Sequence, residues 1–231
     1  MHIAVLVTNT DRSDFASRHP RDGEKFTAMV KAVRPGWRVT AFDLTEGAFP
    51  TSLEGVDGVI IGGSPASVND HEPWIAELQP LIRQIVAAGI PLFGACFGHQ
   101  AIARALGGRV GDNPGGWVMG VTETRLEGGA DWVTPGPIRM NAAHSEQVLD
   151  LPPGARVLGG NADCPVGFYC IGTKVFATQY HPEMTDEFVK ALVEEYAPKL
   201  PPAAAAQAKA SLMRPADTPR FIEMITRFFE G

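Results

Sequence analysis

Five residues near the middle of the chain, Gly94-Ala95-Cys96-Phe97-Gly98, have the composition of a turn built to present a nucleophile. An apolar run, Ile90 to Phe93, leads into them, and Gln100 to Leu106 with a Gly107-Gly108 stop follows. Strand, sharp turn and helix in that order carry a Ser or Cys clear of the backbone. Such a turn forces strand and helix together, so Gly94 and Gly98 are expected where a side chain would collide. A helix N-terminus beneath Cys96 favours thiolate, and the N–H of Phe97 can meet a developing oxyanion. A buried cysteine is by default a small hydrophobe. The two flanking glycines argue against that for Cys96, whereas Cys164 and Cys170 lack such a frame and are read as inert.

A thiol nucleophile needs a base. Val175 to Gln179 reads as a strand that runs into Tyr180-His181-Pro182-Glu183. Residues two apart in extended chain point the same way, and Pro182 disfavours helix at His181. His181 and Glu183 are therefore expected side by side, the carboxylate setting the tautomer of the imidazole. Alone, the pair would read as a surface histidine and a solvated acid. Beside Cys96 it completes a Cys-His-Glu triad.

Together the two segments resemble the class I glutamine amidotransferase family, through Gly-x-Cys-x-Gly-His-Gln and the later Gln-Tyr-His-Pro-Glu. Three further stretches match in order. Ile60-Ile61-Gly62-Gly63-Ser64-Pro65 resembles the family's glycine-rich oxyanion loop, with Ser64 interrupting the usual Gly-Gly-Pro. Gly116-Trp117-Val118-Met119-Gly120 resembles its Gly-Trp-x-x-Gly strand, and Ala143-His144-Ser145-Glu146-Gln147-Val148 its His-Ser-Asp segment. The resemblance implies that Cys96 attacks the side-chain amide of glutamine, giving glutamate and ammonia through a thioester. It implies His181 as base, Glu183 as its orienting acid, and Gly63 and Phe97 as oxyanion donors. Gln100, Ser145 and Glu146 would bind the rest of the substrate, while His99 and His144 are structural. The run Gly62 to Ile75 is also similar to the amidotransferase part of GMP synthase and to γ-glutamyl peptidases. A γ-glutamyl peptide or conjugate hydrolase with the same triad is thus the first alternative. A non-catalytic regulatory or binding subunit is the second, and the complete triad counts against it.

These residues need a scaffold. Ile3–Val7, Val39–Phe42, Gly58–Ile61 and Ile90–Phe93 are short apolar runs, separated by helical spacing over Gly23–Val33, Trp74–Ala88 and Gln100–Leu106. Alternation of this kind predicts an α/β fold with a mostly parallel central sheet and helices on both faces. Residues 10–21 are polar and read as a surface loop. Gly116–Arg125, Pro137–Met140, Arg156–Gly159, Gly167–Ile171 and Val175–Gln179 are shorter pieces broken by Gly, Pro and Asn, which suit antiparallel additions. Thr185–Tyr196 reads as a helix. The resemblance implies the flavodoxin-like form of this fold. One domain over residues 1–231 is expected, with extra helices from about residue 201. In the last of them Phe221, Ile222, Ile225 and Phe228 follow helical spacing, so one face should pack on the body.

Bulk properties narrow the functions. A formal net charge of −6 with no basic block excludes an electrostatic grip on nucleic acid. No apolar stretch is long enough to span a bilayer, and the N-terminal run lacks the form of a signal peptide. Three cysteines cannot all pair with each other, so a reducing cytoplasm is expected. No metal-ligand cluster or phosphate-cradling Gly-x-x-x-x-Gly-Lys motif is present, so no cofactor is expected. The expected partners are the γ-glutamyl substrate and a separate synthetase or acceptor subunit, with a homo-oligomer left open.

Overall fold

A computed structural model describes residues Met1 to Gly231. The first half runs β1 (His2–Val7), α1 (Asp14–Ser17), α2 (Asp22–Val33), β2 (Arg38–Asp43), β3 (Gly58–Ile61), α3 (Pro73–Ala87), β4 (Leu92–Ala95) and α4 (Phe97–Ala105). The second half runs β5 (Arg109–Asp112), β6 (Val118–Leu126), β7 (Gly136–His144), β8 (Glu146–Asp150), β9 (Ala155–Gly160), β10 (Phe168–Ile171) and β11 (Val175–Thr178). It ends with α5 (Asp186–Tyr196), α6 (Pro202–Ser211) and α7 (Thr218–Glu230).

Nine strands form one sheet in the order β2-β1-β3-β4-β11-β10-β9-β6-β7. Strands β2, β1, β3, β4 and β11 are mutually parallel; β11, expected among the antiparallel additions, instead lies beside β4 and runs parallel to it. Strands β10, β9, β6 and β7 extend the sheet in antiparallel fashion. The apolar runs become strands because both of their faces are covered: every residue of β3, β4 and β11 is buried. One face packs against α2 and α7 through a core of 27 buried residues. The other packs against α3 and α4 through a core of 23. This is the α/β architecture expected from the strand and helix pattern.

Details differ from that expectation where local pattern was weak. Residues 10–21 include a one-turn helix, α1, whose N-cap Ser13 accepts the Ala16 amide. Helix α4 starts at Phe97 rather than Gln100, because Cys96 itself occupies the N-cap. Strands β5 and β8 pair in a separate two-stranded sheet that the sequence reading did not include. Their mixed, four- and five-residue sequences carry little periodicity.

Helix α7 bears out its spacing. Phe221, Ile222, Ile225 and Phe228 are all buried, and the Phe221 ring packs on Phe93, Phe168 and Phe176. Phe221→Ala is expected to destabilise by about 3–5 kcal/mol, read as a lower midpoint of urea unfolding with unchanged slope. No helix is long and apolar enough to cross a membrane.

Candidate active site

The C-terminal ends of the parallel strands assemble the site, which is where open α/β sheets gather their ligands. Register sets Ile61 of β3 beside Gly94 of β4, and Ala95 of β4 beside Thr178 of β11. Just past these pairs, Gly62-Gly63, Cys96 and Gln179 become neighbours, with the His-Pro-Glu segment two residues further on.

Cys96 is the one non-glycine residue with positive φ, at φ 50° and ψ −104°. Its backbone is held there from both sides. Its N–H donates to Thr178 O at 2.9 Å, and its carbonyl accepts from the Gln100 N–H at 3.1 Å. The neighbouring glycines are sterically required. A Cβ on Gly94 would lie 2.7 Å from the Gly98 carbonyl, and one on Gly98 would strike the Ile61 carbonyl oxygen. Gly98 N–H instead donates to Gly62 O at 3.0 Å, tying the elbow to the glycine loop.

Gly63 sits against the same group. A Cβ there would come within 2.9 Å of His181 Cε1 and 3.7 Å of Cys96 Cβ. The Thr8 hydroxyl bridges the Gly62 and Gly63 carbonyls at 3.1 and 3.0 Å, which fixes the loop from β1. The inserted Ser64 turns its hydroxyl to accept the Ala66 amide, so the loop closes on itself. The amides of Gly63 and Phe97 donate no backbone hydrogen bond, and Phe97 begins α4.

His181 and Glu183 lie beyond the end of β11 in a turn rather than in extended strand, yet they meet as expected. His181 Nδ1 and Glu183 Oε1 are 2.7 Å apart, and both side chains are buried. Burial alone would push the imidazole down. The Cys96 and Glu183 charges outweigh it and hold His181 well above the usual histidine range. Its Nε2 has no partner in the protein. Asn141 of β7 clamps the segment at both ends: its carbonyl accepts His181 N–H at 2.8 Å, and its side-chain amide donates to Met184 O at 3.0 Å.

Gln179 is a member that sequence reading assigned no role. Its amide Nε2 donates to Cys96 Sγ at 3.6 Å, and its Oε1 accepts from Gln100 Nε2 at 3.2 Å. Gln100 also donates to Glu146 O at 2.9 Å. A buried polar line therefore runs from the Glu146 backbone to the sulfur. Gln100, Ser145 and Glu146 do cluster, but none of them lines the cavity that opens on Cys96. Glu146 Oε1 accepts instead from the Ser67 hydroxyl.

His99 and His144 stand behind the site as neutral, buried groups. Burial, and then the nearby His144 charge, lower His99 to about 3. Burial, with the His181 charge adding to it, lowers His144 to about 4 against one hydrogen bond to Glu146 O. Neither is placed to exchange protons near neutral pH, which agrees with the structural reading. Cys164, buried, is pushed up to about 12.

The cavity on Cys96 measures about 970 Å³. Gly63, Ser64, Cys96, Ala143 and His181 form one end. The segment from Asn9 to Ala28 and helix α5 form the rest, with Trp117 and Met119 of the Gly-Trp-x-x-Gly stretch at one side. No cluster of His, Cys, Asp or Glu capable of holding a metal ion occurs.

Residues 27–191 match the family model for glutamine amidotransferase class-I. Among curated relatives, γ-glutamyl peptidase 3 of Arabidopsis thaliana is 31% identical over 163 residues, covering 66% of this chain and 66% of the relative. The glutamine-hydrolysing GMP synthase of Aromatoleum aromaticum is 33% identical over 139 residues, covering 55% of this chain and 26% of the synthase. The chain thus spans about two thirds of the first relative's length and about a quarter of the second's. A crystal structure of a Thermotoga maritima glutamine amidotransferase superposes with a TM-score of 0.77 at 18% identity, covering 100% and 98% of the two chains, and it shows the fold. The matched family model spans the elbow, the glycine loop and the His-Pro-Glu turn alike, and the chain belongs to the class I glutamine amidotransferase family.

Proposed function

We propose that the chain hydrolyses γ-glutamyl amides through Cys96, with glutamine as the first substrate. The observation that carries this reading is the strained, helix-capping Cys96 opening into the same cavity as His181, whose far nitrogen is held by Glu183. With the proton already on His181, whose imidazole is held well above its usual range, the Cys96 sulfur bonds to the γ-carbonyl carbon. The negative oxygen that results accepts hydrogen bonds from the Gly63 and Phe97 amides. The proton passes from His181 to the nitrogen, the C–N bond breaks, and ammonia or an amine departs. Water then gives a proton to His181 and its oxygen to the thioester carbon, which releases glutamate and leaves the sulfur and the protonated His181 as they began. Gln179 is a positioning residue in this scheme, turning its N–H to the sulfur.

A second reading, hydrolysis of γ-glutamyl peptides or conjugates by the same groups, draws support from the cavity volume. About 970 Å³ lies at the upper end of the range that holds drug-sized ligands, far more than a free amino acid fills. A separate synthetase or acceptor subunit is the partner that an ammonia-donating role requires. A reducing compartment suits three unpaired cysteines.

Release of glutamate from glutamine and from a panel of γ-glutamyl peptides, with Cys96→Ala as blank, tests both readings. Release that persists in Cys96→Ala would sink them. Limited alkylation supplies a second check. Cys96 is expected to react first, ahead of Cys164, whose thiol is pushed up to about 12, and ahead of Cys170 inside the core. Gln179→Leu is expected to slow that reaction about tenfold, since a hydrogen bond to a charged group contributes about 1.5 kcal/mol. Equal labelling of the three cysteines in peptide mapping would contradict the elbow. An unchanged rate in Gln179→Leu would reduce Gln179 to packing.

A further inference from the structure

We infer that the end of the cavity away from Gly63 is a subsite for an apolar leaving group, the second residue of a γ-glutamyl peptide. This rests on the proposed hydrolysis and names the amine that departs. Ammonia needs no wall, yet a group of large apolar side chains lines part of this cavity. Met119 of β6, Met184 just past Glu183, and Phe188, Leu192 and Tyr196 of α5 line the same cavity as Cys96 and His181. Phe188, Leu192 and Tyr196 recur at helical spacing, so α5 turns a single apolar stripe to the cavity. Methionine side chains adapt to ligands of different shape.

The aromatic part of the wall is held in place. Phe188 packs at 5.8 Å from Phe15 and 5.0 Å from His19, ring centre to ring centre. Lys25 Nζ stands 3.8 Å over the Phe188 ring while bonded to Asp22 Oδ1 at 3.0 Å. Asp22 in turn accepts from Asn9 at 2.9 Å. Residues 9–25, which include the polar stretch 10–21 read as loop, therefore serve as a fixed buttress for an aromatic surface in the cavity of the thiol.

The same segment also supplies charge. Lys25 is paired with Asp22, and Arg12 lies 3.6 Å from both Asp43 and Glu46. Arg21 also lines the cavity; its backbone N–H donates to Glu24 Oε2 at 2.7 Å, while its guanidinium forms no ion pair. A dipeptide joined through the γ-carboxyl fits this division: its glutamyl carbonyl at Cys96, its apolar side chain on α5, and its terminal carboxylate toward Arg21.

Binding to Cys96→Ala protein, measured calorimetrically, tests the subsite without requiring turnover. γ-Glutamylphenylalanine is expected to bind at least tenfold more tightly than γ-glutamylglycine or glutamine, the scale at which apolar pockets discriminate. Phe188→Ala is expected to shrink that ratio several-fold, and Arg21→Gln to weaken the dipeptide more than its C-terminal amide. Equal affinity for the three ligands would overturn the subsite. If Cys96→Ala prefers γ-glutamylphenylalanine but wild-type protein releases no glutamate from any ligand, the subsite stands and the hydrolytic reading falls. If wild type cleaves glutamine alone and the dipeptide does not bind, hydrolysis stands and the subsite falls.

Discussion

Cys96→Gly is expected to resist urea better than Cys96→Ala by about 1 kcal/mol, while both lose about 10⁴-fold or more in kcat/KM. Alanine normally outranks glycine, because glycine's unfolded chain has more freedom to lose. At position 96 the backbone itself reverses the order. A φ of 50° with ψ of −104° is open to glycine and strained for any residue with a Cβ, by about 1–3 kcal/mol. Both replacements remove the sulfur, whose contacts with Gln179 and Ala143 O are long, at 3.6 and 3.9 Å, so its packing differs little between them. The comparison therefore isolates the strain. A cysteine kept for packing would show the usual order in urea unfolding and would tolerate alanine in the assay. Strain retained at one residue, with activity depending on that residue, is the signature of a position shaped by function.

Acid should unfold the protein through the histidines behind the site. Between pH 6.5 and pH 4, His99 and His144 are expected to remove about 3 kcal/mol each. Both are lowered by burial first, to about 3 and about 4. In that interval the unfolded chain binds protons that the folded chain refuses. Stability is thus intact above pH 6.5 and falls as pH falls. His181 works in the opposite sense. Its raised value means that the folded state binds the extra proton, so its contribution is complete below about pH 6.5 and is lost as pH rises through its folded value. These three residues together place maximum stability near neutrality. Urea titrations at stepped pH read the profile, and His99→Gln should remove about half of the acid slope. A flat profile from pH 6.5 to 4, or an unchanged slope in that variant, would mean that these rings find protons or partners when buried.

The parts of this arrangement written locally were legible from sequence. Gly94 and Gly98 announce the elbow because the steric demand lies within five residues. His181 and Glu183 are two apart and meet, although a turn rather than a strand end brings them together. Helix α7 was readable from four apolar positions in period. What long-range pairing decides was not legible. Gln179 and Cys96 are 83 positions apart, and nothing near either residue signals an N–H aimed at sulfur. Asn141 clamps the His-Pro-Glu turn only because β7 returns beside it. The β5–β8 pair is short and mixed in polarity, so its partner, not its pattern, makes it a sheet. Residues 10–21 read as loop by composition, yet with α5 they build most of the cavity wall. Gln100, expected at the substrate, spends its amide on Glu146 and Gln179.

The central claim is that Cys96 becomes covalently glutamylated. Protein mixed with glutamine and quenched in acid within the turnover time, then digested and mapped by mass spectrometry, tests it most directly. The account predicts a glutamyl adduct on the peptide that carries Cys96, labile to hydroxylamine and absent from the Cys164 and Cys170 peptides. It also predicts that Glu183→Gln forms the adduct more slowly. Glutamate released at full rate with no adduct on Cys96, or an adduct on either of the other cysteines, would contradict it.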